Sequence, residues 1–242
     1  MKLSICWLYG SSMNIYGDRG NVLALAQRCR WRGIDAEIVQ SGVGDAVDPG
    51  RFDIFFWGGG QDREQINVSA DVQGVKGETL LAEVDDGAPL LSVCGGYQLL
   101  GHFYRPAEGA ELPGIGVFDA WTVAGNERFI GNIIVASSEF GELVGFENHS
   151  GLTYLGPNAQ PLGTVRSGRG NNGADGTEGC RYRNAIGCYM HGALLPKNPG
   201  LSDFLIRAAL RRRYGVDELP QLDDALEVQA HAVAVQRALA RR

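Results

Sequence analysis

The sequence lacks the patterns that mark disulfide-rich, zinc-binding and membrane-spanning proteins. Its five cysteines are widely spaced and form no C-x-x-C pair, so neither a disulfide framework nor a zinc knuckle is indicated, and a reducing cytosol is the simplest compartment. No wholly apolar run approaches the length of about 20 residues that a membrane-spanning helix needs. Because strand-like Lys2–Leu8 begins the chain, we also expect no signal peptide.

Two further absences narrow the function. The formal net charge of -6 lacks the basic excess of a general nucleic-acid-binding protein. No G-x-x-x-x-G-K-[ST] phosphate-binding loop is present, so the sequence offers no ATP site of that type. What remains, with 44% hydrophobic and 21% charged residues in 242 positions, is typical of a soluble globular protein, either one large α/β domain or one with a small appendage.

Strands and helices alternate over the first hundred residues. Apolar and β-branched runs predict strands at residues 3–8, 34–39, 53–57 and 89–93. A helix with Asp18 as its N-cap is predicted to run to about Arg32. This alternation is typical of a mostly parallel sheet with crossover helices, which binds ligands beyond the carboxyl ends of its strands.

After Gly114 the pattern changes. Shorter strands are predicted at residues 117–123, 130–137, 152–155 and 185–190. Residues 168–179, called the Gly-rich loop below, are glycine-rich and polar. Two helices are predicted to end the chain, one from about Leu201 and one over residues 223–239. We therefore expect one α/β domain over residues 1–200, with C-terminal helices over residues 201–242 packed on the same domain.

Cys94 is the strongest candidate for a catalytic residue. The apolar strand at 89–93 ends at this cysteine, and Gly95 and Gly96 then open a helical pattern, which is typical of a strained strand-to-helix turn. The N-terminus of that helix favours a thiolate, the nucleophilic form of the side chain. A buried structural cysteine is the alternative, but the combination of strand, cysteine, paired glycines and helix favours a nucleophile.

A cysteine nucleophile needs a base and donors for an oxyanion. His191 ends a predicted strand and is followed by glycine, so we expect it at the same sheet edge as Cys94. His149, in a segment that reads as a turn, is the rival candidate. Backbone N–H groups of Gly95 and of residues 58–60, three consecutive glycines, could bind the oxyanion. The other two histidines lie elsewhere in predicted helices or loops, namely His102 and His231.

Several motifs resemble those of class I glutamine amidotransferases, and the resemblance extends over nearly the whole chain. The triple glycine, the cysteine elbow and the late histidine mark the wider superfamily. Other motifs are similar to its cobyric-acid-synthase-type branch and, within that branch, to the glutaminase subunits of enzymes that amidate the cell-wall precursor lipid II. The motifs lie at residues 14–21, 58–62, 94–98, 128–132, 147–151 and 170–179. The resemblance implies a flavodoxin-like fold with a mostly parallel central sheet flanked by helices.

The resemblance also implies a reaction. Cys94 would attack the side-chain amide of L-glutamine as the nucleophile, and His191 would act as general acid and base in forming and hydrolysing a glutamyl thioester. Arg128 would bind the substrate's α-carboxylate through its guanidinium. No metal is implied. The implied backbone donors for the oxyanion are Gly59, Gly60 and Gly95.

A partner is implied as well. Ammonia would pass to a MurT-like Mur ligase in a heterodimer, and this ligase would use ATP and magnesium to amidate the D-glutamate α-carboxylate of lipid II, giving D-isoglutamine during peptidoglycan synthesis. No cofactor is then expected on this chain. The protein is expected to be cytoplasmic and to act at the inner face of the membrane without inserting into it.

One position departs from the wider superfamily. Many of its members carry a glutamate two residues after the histidine, where this sequence has Ala193. Cys94 and His191 would then act as a dyad, or a carboxylate or carbonyl from elsewhere would orient the imidazole. The alternatives to the lipid II reaction are an amidotransferase with another acceptor, such as a corrinoid, a stand-alone γ-glutamyl thiol hydrolase, or a scaffold without catalysis.

Overall fold

The computed structural model describes residues 1–240, which form two β-sheets and seven helices around a shared core. The strands are β1 (Lys2–Leu8), β2 (Asp35–Ser41), β3 (Ile54–Trp57), β4 (Leu90–Val93), β5 (Phe103–Arg105), β6 (Leu112–Pro113), β7 (Ala120–Ser137), β8 (Gly141–Leu155), β9 (Gly163–Ser167), β10 (Thr177–Glu178), β11 (Cys180–Tyr182) and β12 (Ala185–Cys188). The helices are α1 (Arg19–Trp31), α2 (Asp62–Asp71), α3 (Val75–Asp85), α4 (Gly95–Leu100), α5 (Leu194–Lys197), α6 (Pro199–Tyr214) and α7 (Ala225–Leu239).

The first sheet has the strand order β11-β12-β4-β3-β1-β2 and is parallel except for the edge strand β11. Strands β3, β4 and β12 are buried at every residue, because elements cover both faces of a parallel sheet, and this explains their continuous apolar sequences. The prediction of a mostly parallel central sheet flanked by helices is confirmed. Strand β12 lies beside β4, so the residues that follow these two strands share one sheet edge.

The second sheet has the strand order β10-β9-β7-β5-β6, with β8 paired to β7. It differs from the short strands predicted after Gly114. Strands β7 and β8 form one long antiparallel hairpin, with an irregularity in their pairing between Ala124 and Phe129. Strand β7 is one strand where two separate strands, at residues 117–123 and 130–137, were predicted. The prediction of a turn at residues 147–151 was wrong, since these residues lie inside β8. Two short backbone hydrogen bonds between Phe146 and His191 join β8 to the end of the first sheet.

The two C-terminal helices lie against the rest of the chain. Helix α6 packs on α1, while Ala238 of α7 packs on Ile134 of β7 and Val144 of β8. The buried Arg28 of α1 pairs with Asp203 and with Asp224, at the start of α7. Residues 241 and 242, the end of the predicted C-terminal segment, lie outside the described residues. Within residues 1–240, no helix is both long and apolar enough to cross a bilayer.

Candidate active site

Cys94 lies at the turn between β4 and α4, as the sequence predicts. Its backbone has φ = 52°, an unusual value for a residue other than glycine, and its side chain is 7% exposed. Its N–H donates to the carbonyl of Cys188, the last residue of the neighbouring strand, at 2.8 Å. The strained turn therefore holds the sulfur at the carboxyl edge of the first sheet, beside the N-terminus of α4.

His191 and Cys94 meet at Gly59. A Cβ atom built on Gly59 would lie 2.8 Å from Cε1 of His191 and 3.2 Å from Cβ of Cys94, so only a glycine lets the two side chains approach here. His191 is completely buried. The structure thus brings the two predicted residues together, and it does so through the antiparallel bridge that fixes the His191 backbone to β8.

Asp18 orients the imidazole of His191. Oδ1 of Asp18 lies 3.0 Å from Nδ1 of His191, and its Oδ2 accepts the N–H of Gly59 at 2.7 Å. Both the carboxylate and the imidazole are fully buried. Asp18 precedes α1 at the predicted N-cap position, but among the described residues its side chain makes no capping hydrogen bond to the helix. No local sequence pattern indicates this role of Asp18, because the two residues are separated by 173 positions.

The structure also shows why alanine at position 193 is compatible with an oriented imidazole. Ala193 has a left-handed backbone with φ = 45°, and a Cβ atom built on Gly20 would lie 2.6 Å from the Ala193 methyl group. The start of α1 therefore occupies the space beside position 193. The same segment supplies the carboxylate of Asp18, so an acid from elsewhere in the chain replaces the missing glutamate.

The electrostatics of His191 favour its protonated form. Burial lowers the pKa of His191, but the negative charges of Cys94 and Asp18 outweigh burial and raise this pKa to about 10. Nε2 of His191 is buried and has no hydrogen-bond partner among residues 1–240. An imidazolium held by Asp18 at Nδ1 can therefore donate its Nε2 proton to a group that enters the site.

A pocket of about 490 Å³ is lined by Cys94 and also by Arg128, Asn148 and His149. Nε of Arg128 donates to Oδ1 of Asn148 at 2.7 Å, and Nη2 donates to the Tyr16 hydroxyl at 3.0 Å. Tyr16 in turn lies edge-on to His191, with ring centroids 5.1 Å apart. Two hydrogen bonds therefore orient Arg128 at the wall of the pocket that Cys94 also lines.

The predicted oxyanion donors are only partly available. The N–H of Gly59 donates to Asp18, which commits it to positioning the carboxylate. Gly60 and Gly95 lie together, since a Cβ atom on Gly95 would be 3.1 Å from the nitrogen of Gly60. The structure therefore corrects the prediction for Gly59 and leaves the N–H groups of Gly60 and Gly95 as the candidate donors.

His149, the rival of His191, is a buried and neutral residue of the pocket wall. Its Nδ1 lies 2.8 Å from the carbonyl of Gly151, and its ring stacks on Tyr189 with centroids 3.6 Å apart. Burial lowers the pKa of His149 to about 4. The other two histidines lie outside the residues that line this pocket: His102 pairs with Asp119, and His231 contacts the carbonyl of Lys197.

The low pKa of His149 predicts a loss of stability in mild acid. Between pH 6.5 and about 4, His149 binds a proton in the unfolded chain but not in the folded chain. The free energy of unfolding therefore falls as the pH falls through this window, and His149 does not affect it above pH 6.5. The expected contribution is at most about 3 kcal/mol. Urea unfolding of the wild type and of His149→Gln from pH 7 to pH 4 measures it. Equal pH dependence in the two proteins would contradict the assignment.

The Gly-rich loop is firmly anchored. The buried Glu147 accepts the backbone N–H groups of Arg169 and Gly170, while Asn171 and Asn172 bond to several groups within the loop and to the strands beneath it. The residues that line the pocket at Cys94 do not include this loop.

Comparison with known proteins agrees with this geometry. The sequence pattern of the CobB/CobQ-like glutamine amidotransferase domain matches residues 4–199. The lipid II isoglutaminyl synthase (glutamine-hydrolyzing) subunit GatD of Staphylococcus aureus is 39% identical, over 98% of this chain and 96% of its own length. The subunit of the same name from Streptococcus pneumoniae is 40% identical, over 93% of this chain and 87% of its own.

More distant proteins share the fold. A glutamine amidotransferase of Thermotoga maritima has a TM-score of 0.56 at 14% identity, over 99% of this chain and 97% of its own. The glutaminase domain of Trypanosoma brucei CTPS has a TM-score of 0.55 at 13% identity, over 90% of this chain and 98% of its own. With the family pattern spanning most of the sequence and the catalytic elbow in place, this chain belongs to the CobB/CobQ-like glutamine amidotransferases.

Proposed function

We propose that this chain is the glutamine-hydrolysing subunit of a lipid II isoglutaminyl synthase. The observation that carries the proposal is the buried array of Cys94, His191 and Asp18, beside a pocket that both Cys94 and Arg128 line. The two relatives named GatD, which align with 98% and 93% of this chain, support the same reaction. The product is ammonia, made for transfer to an acceptor on another subunit.

In the proposed reaction the Cys94 thiolate attacks the side-chain carbonyl carbon of L-glutamine. The oxygen takes up negative charge and is stabilised by the N–H groups of Gly60 and Gly95. His191, protonated at Nε2, gives its proton to the amide nitrogen as the carbon–nitrogen bond breaks and ammonia leaves. A glutamyl thioester then remains on Cys94.

The second half of the reaction returns the enzyme to its starting state. The neutral His191 takes a proton from a water molecule, whose oxygen attacks the thioester carbonyl. The carbon–sulfur bond breaks, glutamate leaves and the thiolate is restored beside a protonated His191. Throughout both halves, Asp18 holds the Nδ1–H of the ring, so that Nε2 always faces the reacting atoms.

The acceptor reaction belongs to a second protein in this proposal. A MurT-like Mur ligase subunit would bind ATP and magnesium, activate the D-glutamate α-carboxylate of the lipid II stem peptide and combine it with the ammonia. The sequence of this chain supports that division, because it has no phosphate-binding loop of the G-x-x-x-x-G-K-[ST] type. The heterodimer would work at the inner face of the membrane, where lipid II is anchored.

Replacement of Arg128 by alanine is expected to weaken glutamine binding. Loss of a charged hydrogen bond to the α-carboxylate should raise KM about 10- to 100-fold, whereas kcat should change by less than about fivefold. Steady-state glutamate release measures both constants. The control is Arg105→Ala, which removes an exposed arginine paired with Glu111. An unchanged KM in Arg128→Ala would show that another group binds the carboxylate.

The test of the proposed function is glutamate release from L-glutamine by the purified chain, with and without the ligase subunit, ATP and lipid II. We expect modest hydrolysis by the chain alone, marked stimulation by the complete mixture and the formation of amidated lipid II. Hydrolysis without lipid II amidation would point to a different acceptor, such as a corrinoid. Full turnover without a partner would instead identify a stand-alone thiol hydrolase.

A further inference from the structure

A buried glutamine of α2, Gln65, reaches the same pocket and has no part in the reaction described above. Its side chain is 2% exposed, and it lines the pocket together with Cys94 and Gln98. Its Nε2 donates to Oε1 of Gln98 at 2.9 Å and to the carbonyl of Gly60 at 3.4 Å. Its Oε1, although buried, has no hydrogen-bond partner among residues 1–240.

The amide of Gln65 lies at the sulfur end of the pocket. A Cβ atom built on Gly95, the residue after Cys94, would be 2.4 Å from Nε2 of Gln65. Arg128, which lines the same pocket and donates to Asn148, is the group proposed to bind the α-carboxylate. Gln65 therefore faces the place where the side-chain carboxamide of glutamine must lie for attack by Cys94.

A chain of hydrogen bonds orients this amide. Nε2 of Gln98 donates to the hydroxyl of Tyr189 at 3.1 Å, and this hydroxyl lies 2.7 Å from Oγ1 of Thr153. With its nitrogen engaged by Tyr189, Gln98 presents its oxygen to Gln65. The carbonyl of Gly60 can only accept, so it favours the orientation in which the nitrogen of Gln65 points to Gly60 and Gln98 and its oxygen is left without a partner among residues 1–240.

Buried acceptors in folded proteins are nearly always paired, because an unpaired one has lost its water without compensation. At the sulfur end of the pocket, the group of L-glutamine that can donate a hydrogen bond is the NH2 of its carboxamide. We propose that Oε1 of Gln65 accepts a hydrogen bond from this NH2 group and thereby selects amides over esters as substrates. The inference rests on the proposed function and deepens it.

The test compares each variant with the wild type on an amide substrate and on an ester substrate. L-Glutamate γ-methyl ester has the same α-groups and the same carbonyl as L-glutamine, but it carries no N–H on the leaving group. We expect Gln65→Met to lower kcat/KM for glutamine about 10- to 100-fold and to change kcat/KM for the ester less than about threefold. The control is Gln73→Met, which alters an exposed glutamine just beyond α2 and should leave both values unchanged.

Each outcome bears on Gln65 alone. Equal losses on amide and ester would assign Gln65 to the oxyanion site or to the fold, and no loss on either would remove it from substrate recognition; both results overturn the proposal. Retained ester hydrolysis shows that a variant is folded. If Gln65→Met does not fold, Gln65→Asn replaces it in the test, because its side chain is one methylene shorter and moves the amide oxygen away from the substrate. Failure of the proposed function would show differently, as a wild type that does not hydrolyse glutamine.

Discussion

Asp18→Asn is expected to lower kcat for glutamine hydrolysis about 10²- to 10⁴-fold while KM changes little. The carboxylate accepts from two donors at once, the Nδ1–H of His191 and the N–H of Gly59. An asparagine offers one acceptor oxygen and one donor nitrogen, so it cannot satisfy both. The imidazole would then take up the wrong tautomer or rotate away from Cys94, although the shape of the site is preserved.

The pH profile separates this positioning role from a general loss of structure. Asp18 is one of the charges that raise the pKa of His191, so its neutralisation should lower that pKa. The alkaline limb of kcat, where the imidazolium loses its proton, is therefore expected at lower pH in Asp18→Asn than in the wild type. Asp48→Asn, an exposed carboxylate paired with Arg51, serves as the control. A variant with wild-type kcat and an unmoved profile would show that Asp18 does not orient the ring.

Cys94→Ala is expected to abolish glutamine hydrolysis and to retain glutamine binding. Removal of the nucleophile should lower the rate at least about 10⁴-fold, because no thioester can form. Arg128 and the rest of the pocket wall remain, so the dissociation constant measured by calorimetry should stay within about threefold of the wild type. Residual hydrolysis near the wild-type rate would exclude the thioester route.

The other cysteines provide a matched control for Cys94. Cys29 is buried in α1, away from the pocket, and burial raises the pKa of its thiol to about 12, so it stays protonated at neutral pH. Cys29→Ala is therefore expected to keep the wild-type kcat and KM, with a cost only in stability. Loss of activity in Cys29→Ala would mean that the site is sensitive to core packing in general, and the result for Cys94 could then not be assigned to chemistry.

The sequence predicts the parts of the site that follow from local patterns. Cys94 comes directly after buried strand β4 and His191 comes shortly after buried strand β12, and these two strands end at one sheet edge. Local patterns do not predict Asp18, because its contact with His191 depends on how α1 packs against the residues after β12. An aspartate before a helix also has an ordinary explanation as an N-cap, which hides its use in the site.

The hairpin of β7 and β8 is the part of the fold that the sequence predicts least well. The segment around His149 is rich in polar residues and glycine, which is typical of a turn. In the structure residues 148–151 all line the pocket: Asn148 accepts a hydrogen bond from Arg128, while His149 stacks on Tyr189. These residues are therefore polar because they line the site. Their place in the site, rather than their local preference for a turn, explains their sequence.

The most direct test of the account is the intact mass of the protein after acid quenching during turnover of L-glutamine. A glutamyl thioester on Cys94 predicts a species heavier than the free chain by one glutamyl group. This species should be absent in Cys94→Ala and should accumulate when hydrolysis of the thioester is slowed. A wild-type chain that releases glutamate without ever carrying this added mass, under quenching fast enough to trap an intermediate, would contradict covalent catalysis by Cys94.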